Sequence, residues 1–181
     1  MWVGRHDADA GILYQPGNAE DVRDLLKYLE GSWKGAKYLI NPVSGQEIDG
    51  SYRSGSNIIA IRYLLIESDK APIDLWLKML VLQSWPIVAL YESGRRSIHA
   101  IVRVDAKNEG EFKAIGEEYR KLLIPLEADE ASTGNKVVQL SRLPGVFRPE
   151  SGHWQRLLWL APNATGAPIW QKKEKAPLER Q

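Results

Sequence analysis

The stretch LLIESD, residues 64 to 69, ends in two carboxylates two positions apart, Glu67 and Asp69. On a strand such residues project from one face, where two like charges repel unless a cation sits between them. Hard divalent ions such as Mg2+ and Mn2+ take oxygen ligands of this kind. Without an ion, the same pair is a solvated strand-to-helix turn. A second stretch, SGRRSIHAIVRV, residues 93 to 104, alternates in the manner of a strand. Ile98, Ala100, Val102 and Val104 share one face and read as core, while Ser97, His99, Ile101 and Arg103 share the other. A hydroxyl, an imidazole and a guanidinium, with Arg95 and Arg96 at their mouth, suit the oxygens of a phosphate chain. A third stretch, VVQLSRLPGVFR, places Arg142 before a Pro-Gly turn and Arg148 just beyond it, so that either can serve a shared phosphate site. In PLEADEASTGN, upstream of it, Asp129 or Glu130 can supply a third carboxylate.

The elements that must position these groups follow from periodicity. The apolar run Ile61 to Ile66 reads as a strand, and Pro72 opens a helix, PIDLWLKMLVLQ. PIVALYESG reads as a buried strand stopped at Gly94, with SIHAIVRVDA as its hairpin partner. NEGEFKAIGEEYRKLL carries Phe112, Ile115, Tyr119, Leu122 and Leu123 at helical spacing, and VVQLS and RLLWL read as short strands. The order β-α-β-β-α-β predicts an α+β fold, a small sheet with helices on one face. Upstream, Asn18 to Gly31 reads as a packing helix. Residues 32 to 57, rich in Gly, Ser, Lys and Asn, read as a long loop carrying Arg53.

Several chemistries are excluded. There is no cysteine, so thiolate zinc sites and thiol nucleophiles are absent, and the easy reading is a reducing, cytoplasmic compartment. The only histidines are His6, His99 and His153, which form no HExxH or His-x-His pattern, and Walker A, GxGxxG and GxSxG motifs are missing. No apolar run approaches the roughly 20 residues of a membrane span. With 24 Lys and Arg against 23 Asp and Glu, any affinity for nucleic acid must be local. Seven scattered tryptophans are explained by packing.

Taken in order, LLIESD, ESGRRSIHAIVRVDA and LSRLPGVFR resemble the archaeo-eukaryotic primase superfamily, in particular the primase-polymerase domains of viruses and plasmids. The resemblance covers residues 58 to 148. It implies template-directed nucleotidyl transfer on a DNA template or primer with nucleoside triphosphates and Mg2+ or Mn2+. In its terms Glu67 and Asp69 are the paired metal-binding acids, Glu67 standing where many members carry aspartate, and Asp129 is the third. Ser97 and His99 are the Ser-x-His pair that holds the triphosphate. Arg142 is the charge partner, and Arg95 and Arg96 contact the triphosphate or a template backbone.

The implied fold is an RRM-like antiparallel catalytic sheet over residues 58–162, a small N-terminal α/β part over 1–57, and a linker or frayed tail over 163–181 leading to a further segment. In relatives that segment is often a helical bundle or a helicase. The alternative from another class is a non-catalytic RRM-like nucleic-acid-binding accessory domain. A metal-dependent nuclease would share the acids but gives no reason for the Ser-x-His strand.

Overall fold

The computed structural model describes residues 1–4, 12–13, 20–21, 23–25, 27 and 36–164. Of the helix expected over residues 18 to 31, positions 20, 21, 23 to 25 and 27 are helical; its remainder, and the tail from 165 to 181, lie outside the described residues. The chain is α+β with antiparallel sheets.

The central unit is the one that periodicity predicts. Strand β4 (Ile61–Ile66) leads into α1 (Ile73–Leu82), whose first turn closes when Trp76 N–H bonds the carbonyl of Pro72 at 2.9 Å. Trp76 and Leu80, one helical turn apart, are its buried residues, and the Trp76 indole donates to the Ile98 carbonyl at 2.9 Å. Strands β5 (Ile87–Glu92) and β6 (Ile98–Ala106) form the expected hairpin, with Gly94 at φ 81° and Arg95 at φ 133° in its turn. Helix α2 (Glu109–Leu123) starts at Asn108, whose side chain accepts from Glu111 N–H at 2.9 Å. Its stripe Phe112, Ile115, Tyr119 and Leu123 packs with Trp76, Leu80 and the inner residues of β4 and β6 into the main core.

In the sheet, β4 and β5 flank β6, the arrangement of a split β-α-β unit. The remaining strands depart from expectation. The stretch VVQLS yields only β7 (Leu140–Arg142), which pairs with β3 (Lys37–Leu39) in a second sheet together with β1 (Trp2–Gly4) and β2 (Ile12–Leu13). RLLWL becomes β10 (Leu157–Leu160), on the free edge of β5. A two-stranded ribbon, β8 (Phe147–Arg148) with β9 (His153–Trp154), lies between them in sequence.

Among the described residues no second strand joins β4, because its edge away from β6 is already satisfied. Asp129 N–H bonds the Glu67 carbonyl at 2.8 Å and Gly134 N–H bonds that of Leu65 at 3.3 Å. Farther along, Asn41 Oδ1 accepts from Arg62 and Tyr63 N–H at 2.9 Å each, and its amide donates to the Tyr63 and Val137 carbonyls. A turn-rich segment and one asparagine therefore do the work of an edge strand. Gly134 lies against Gly116 of α2 so closely that a Cβ on Gly116 would overlap the Gly134 carbonyl oxygen.

The second sheet lies against the face of the first that carries no helix. Ile40 meets Leu65, Val88, Tyr91 and Ile101 there, so the face assigned to Ser97, His99 and Ile101 is covered rather than open. The region expected as one long loop, residues 32 to 57, contains β3 and a turn folded around Asn57, which is fully buried. Asn57 accepts from the Ser44 hydroxyl at 2.7 Å and donates to the Gln46 carbonyl at 2.6 Å.

Candidate functional site

Where the two sheets part, they leave a cleft of about 550 Å3. Its ionisable lining comes from segments far apart in sequence. Glu67 and Asp69 come from the end of β4, Asp129 from the segment along the β4 edge, His99 from β6, and Lys37 with Arg142 from β3 and β7. Arg53, Arg96, Lys136 and Arg148 complete the cationic side.

The acids stand in three different states. Glu67, with its side chain 18% exposed, bonds His99 Nε2 through Oε2 at 2.5 Å. Burial pushes its carboxyl upward, but the His99 hydrogen bond and charge, a hydrogen bond from Ser132 and the charge of Lys37 prevail and hold it at about 2. Asp129 Oδ1 accepts from the N–H groups of Ala131 and Ser132 at 2.8 and 3.0 Å, an Asx turn that fixes the carboxylate and leaves Oδ2 without a hydrogen bond among the described residues. Asp69 is exposed, and its side chain has no hydrogen bond or ion pair among the described residues.

His99 is 4% exposed and held on both nitrogens. Its Nδ1 lies 2.8 Å from Ser141 Oγ, Tyr91 donates to that same oxygen at 2.6 Å, and the Tyr91 and Tyr38 hydroxyls are 3.2 Å apart. Burial raises both phenols, Tyr38 to about 12 and Tyr91 well above its ordinary value, so each remains a neutral O–H group. Ser141, His99 and Glu67 are the residue types of a hydrolase triad, but Ser141 is buried and its oxygen already accepts from Tyr91.

The cationic wall contains a direct conflict of like charges. Lys37 and Arg142 are register partners on adjacent strands, an arrangement that destabilises a sheet unless an anion relieves it. Burial, then Arg142, Arg148 and Arg53, push the Lys37 ammonium below its ordinary value, and Glu67 offsets part of this. Burial and then Arg148 likewise lower Arg142. Two of the cations are held in place by packing. The Arg53 guanidinium lies 5.2 Å from the ring centroid of Trp2. Arg148 packs on Gly94, where a Cβ would come within 3.2 Å of its Cδ, and the positive φ of Gly94 is a second reason for glycine.

Of the residues predicted from sequence, Glu67, Asp69, Asp129, His99, Arg96 and Arg142 meet in this cleft. Ser97 and Arg95 are outside its lining. Ser97 is buried, accepts from Ser68 N–H at 3.1 Å and donates to the Ile98 carbonyl at 3.2 Å, so it fastens the turn between the two acids. Arg95 is exposed on the hairpin. Lys37, Lys136, Ser132, Ser141 and Tyr91 were not singled out. Lys37 and Ser141 sit on strands of three residues, too short to show a period, and Tyr91 reads as one more apolar position of β5. Among the described residues no group of three or more His, Cys, Asp and Glu side chains is placed to hold a metal ion.

No family model matches the chain, and no curated protein or solved structure matches it either.

Proposed function

We propose that this chain is the catalytic domain of a primase-polymerase, a nucleotidyltransferase that extends a primer on a DNA template with nucleoside triphosphates. One observation carries the reading: carboxylates and cations from distant segments line a single cleft, Glu67, Asp69 and Asp129 from the end and edge of β4, and Lys37 and Arg142 from the second sheet, with Arg53 and Arg148. Nucleotidyl transfer needs that division, because positioning and charge neutralisation do most of the work. The split β-α-β unit with helices on one face supports an RRM-like reading of the catalytic sheet.

The donor set suits a hard divalent cation. Mg2+ commonly binds through one or two carboxylates together with substrate phosphates, not in an all-protein cage. Asp69, with both oxygens uncommitted among the described residues, and Asp129, with Oδ2 left over, would hold it, beside Glu67. When bound, Mg2+ or Mn2+ activates the attacking hydroxyl and neutralises charge on the leaving pyrophosphate. The protein's own part is to receive phosphate oxygens. Arg142 and Lys37 face the acids, Arg96 and Arg148 lie at the hairpin end of the cleft, and Arg95 on the hairpin is available to a template backbone.

A second reading, a non-catalytic RRM-like accessory domain, draws on the absence of a ready three-ligand group among the described residues. RNA-binding sheets of that kind stack bases on an exposed sheet face. Here the corresponding face is covered by the second sheet, which favours catalysis in the cleft over stacking on the sheet.

The test is primer synthesis and extension by the wild type and by Asp69→Asn with Asp129→Asn. Both amides keep size, and the amide oxygen introduced at position 129 can still accept the two turn hydrogen bonds. Activity should fall on the order of 100-fold or more with the fold unchanged; equal activity sinks the assignment. Calorimetry with dNTP in the presence and absence of Mn2+ then separates catalytic from accessory roles, since only the former predicts metal-dependent nucleotide binding.

A further inference from the structure

We infer that Ser141 and Tyr91 are positioning residues, a clamp that locks the His99 ring and through it sets the Glu67 carboxylate against the cationic wall. The inference rests on the reading of the cleft as a nucleotidyl-transfer site. Its basis is a buried chain of hydrogen bonds. Tyr91 donates its proton to Ser141 Oγ, that oxygen lies 2.8 Å from His99 Nδ1, and His99 Nε2 lies 2.5 Å from Glu67 Oε2. Glu67, an ionised carboxylate, can only accept, so Nε2–H is the donor and the ring is held at both nitrogens.

The chain also crosses between the sheets. Ser141 and Tyr38 are register partners on β7 and β3, whereas Tyr91 and His99 are register partners on β5 and β6. The rings of Tyr91 and His99 are in contact as well, with centroids 5.5 Å apart. Ser141 and Tyr38, whose hydroxyl lies 3.2 Å from that of Tyr91, are the immediate neighbours of the cleft cations Arg142 and Lys37. The same hydrogen bonds that orient His99 therefore fix the separation of the acidic and basic walls. A displacement of reacting groups by about 1 Å can cost on the order of 100-fold in rate, so a clamp of this kind acts on turnover more than on binding.

The test uses the whole chain without metal or nucleotide, observed by proton NMR. The short bond from His99 to Glu67 should give a far-downfield imidazole N–H resonance protected from solvent exchange. Ser141→Ala should broaden or abolish it, and Ser141→Thr, which keeps the hydroxyl, should retain it. Tyr91→Phe, which keeps the buried ring and deletes only the hydroxyl, should weaken it too, and decides the matter if Ser141→Ala does not fold. In primer extension, Ser141→Ala should lower kcat on the order of 10-fold or more with nucleotide KM nearly unchanged, and Ser141→Thr should restore it. A resonance unchanged in both folded Ser141→Ala and Tyr91→Phe overturns the clamp. Loss of the resonance in a protein whose wild type extends no primer upholds the clamp and removes the polymerase reading instead.

Discussion

Replacing His99 with alanine is expected to strike the fold as well as the cleft. With His99 gone, the Glu67 carboxylate stays largely buried, and burial, which pushes its carboxyl upward, is opposed only by Ser132 and Lys37. The magnitude follows from the interval between its ordinary value of 4.5 and the value of about 2 that it has here. At about 1.4 kcal/mol per pH unit, the environment favours the ionised form by about 3 kcal/mol, and His99 supplies the two largest favourable contributions. His99→Ala should therefore cost about 3 kcal/mol at pH 7, in line with other broken buried pairs. Adding Glu67→Gln removes the stranded charge and should recover about 2 kcal/mol of that. The assay is urea unfolding of the wild type, both single variants and the double variant, closed as a thermodynamic cycle. The pH dependence has a definite sign. Because the folded value lies below the unfolded one, this stability is complete above about pH 4.5 and is lost as the pH falls toward 2. The double variant should lack that loss. A coupling energy below about 0.5 kcal/mol, the scatter expected of independent sites, would refute the reasoning.

Two further perturbations test other parts of the site. Gly116→Ala drives a methyl group into the Gly134 carbonyl oxygen and should destabilise the protein by about 3 kcal/mol in urea unfolding; wild-type stability would contradict the close approach of the two glycines. Inorganic tripolyphosphate entering the cleft should offset the fields of Arg142, Arg148 and Arg53 on Lys37, raising its lowered pKa toward 10.5. Calorimetry at alkaline pH in two buffers of different ionisation enthalpy should then register proton uptake, and Lys37→Met should abolish it; equal heats in the two buffers would contradict a phosphate site beside Lys37.

Local pattern made the central unit legible. Ile61 to Ile66 appear as β4 with the bounds expected, and the Phe112, Ile115, Tyr119 and Leu123 stripe is buried as helical spacing requires. Strand alternation also placed His99 correctly, opposite Ala100 and Val102. What lies on that opposite side was invisible, because the covering strands Lys37–Leu39 and Leu140–Arg142 have three residues each and show no period of their own. The contacts of His99 were equally illegible: the resemblance offers it to a triphosphate, and in the structure its two nitrogens bond Glu67 and Ser141. VVQLS had the composition of a sheet strand, yet pairing is a nonlocal choice. The edge of β4 was already taken by Asn41, Asp129 and Gly134, residues that read as loop in sequence because side-chain amides and turns leave no periodic trace. That same edge pairing delivers Asp129 to the cleft, a placement for which the sequence offered only distance.

The crossing of β7 into the sheet built by the first residues has a consequence for the order of events during synthesis. Lys37–Leu39 must wait for Leu140–Arg142 to emerge, about a hundred residues later, which at roughly 5–20 residues per second is several seconds of ribosome time. The β4–α1–β5–β6–α2 unit, whose contacts are closer in sequence, can collapse within that interval. Until β7 docks, the newborn chain has its acids in place but no Lys37–Arg142 wall opposite them. The cationic side of the cleft is completed only after its acids, and a nascent chain halted before residue 140 carries Glu67, Asp69 and Asp129 without Arg142 and Arg148.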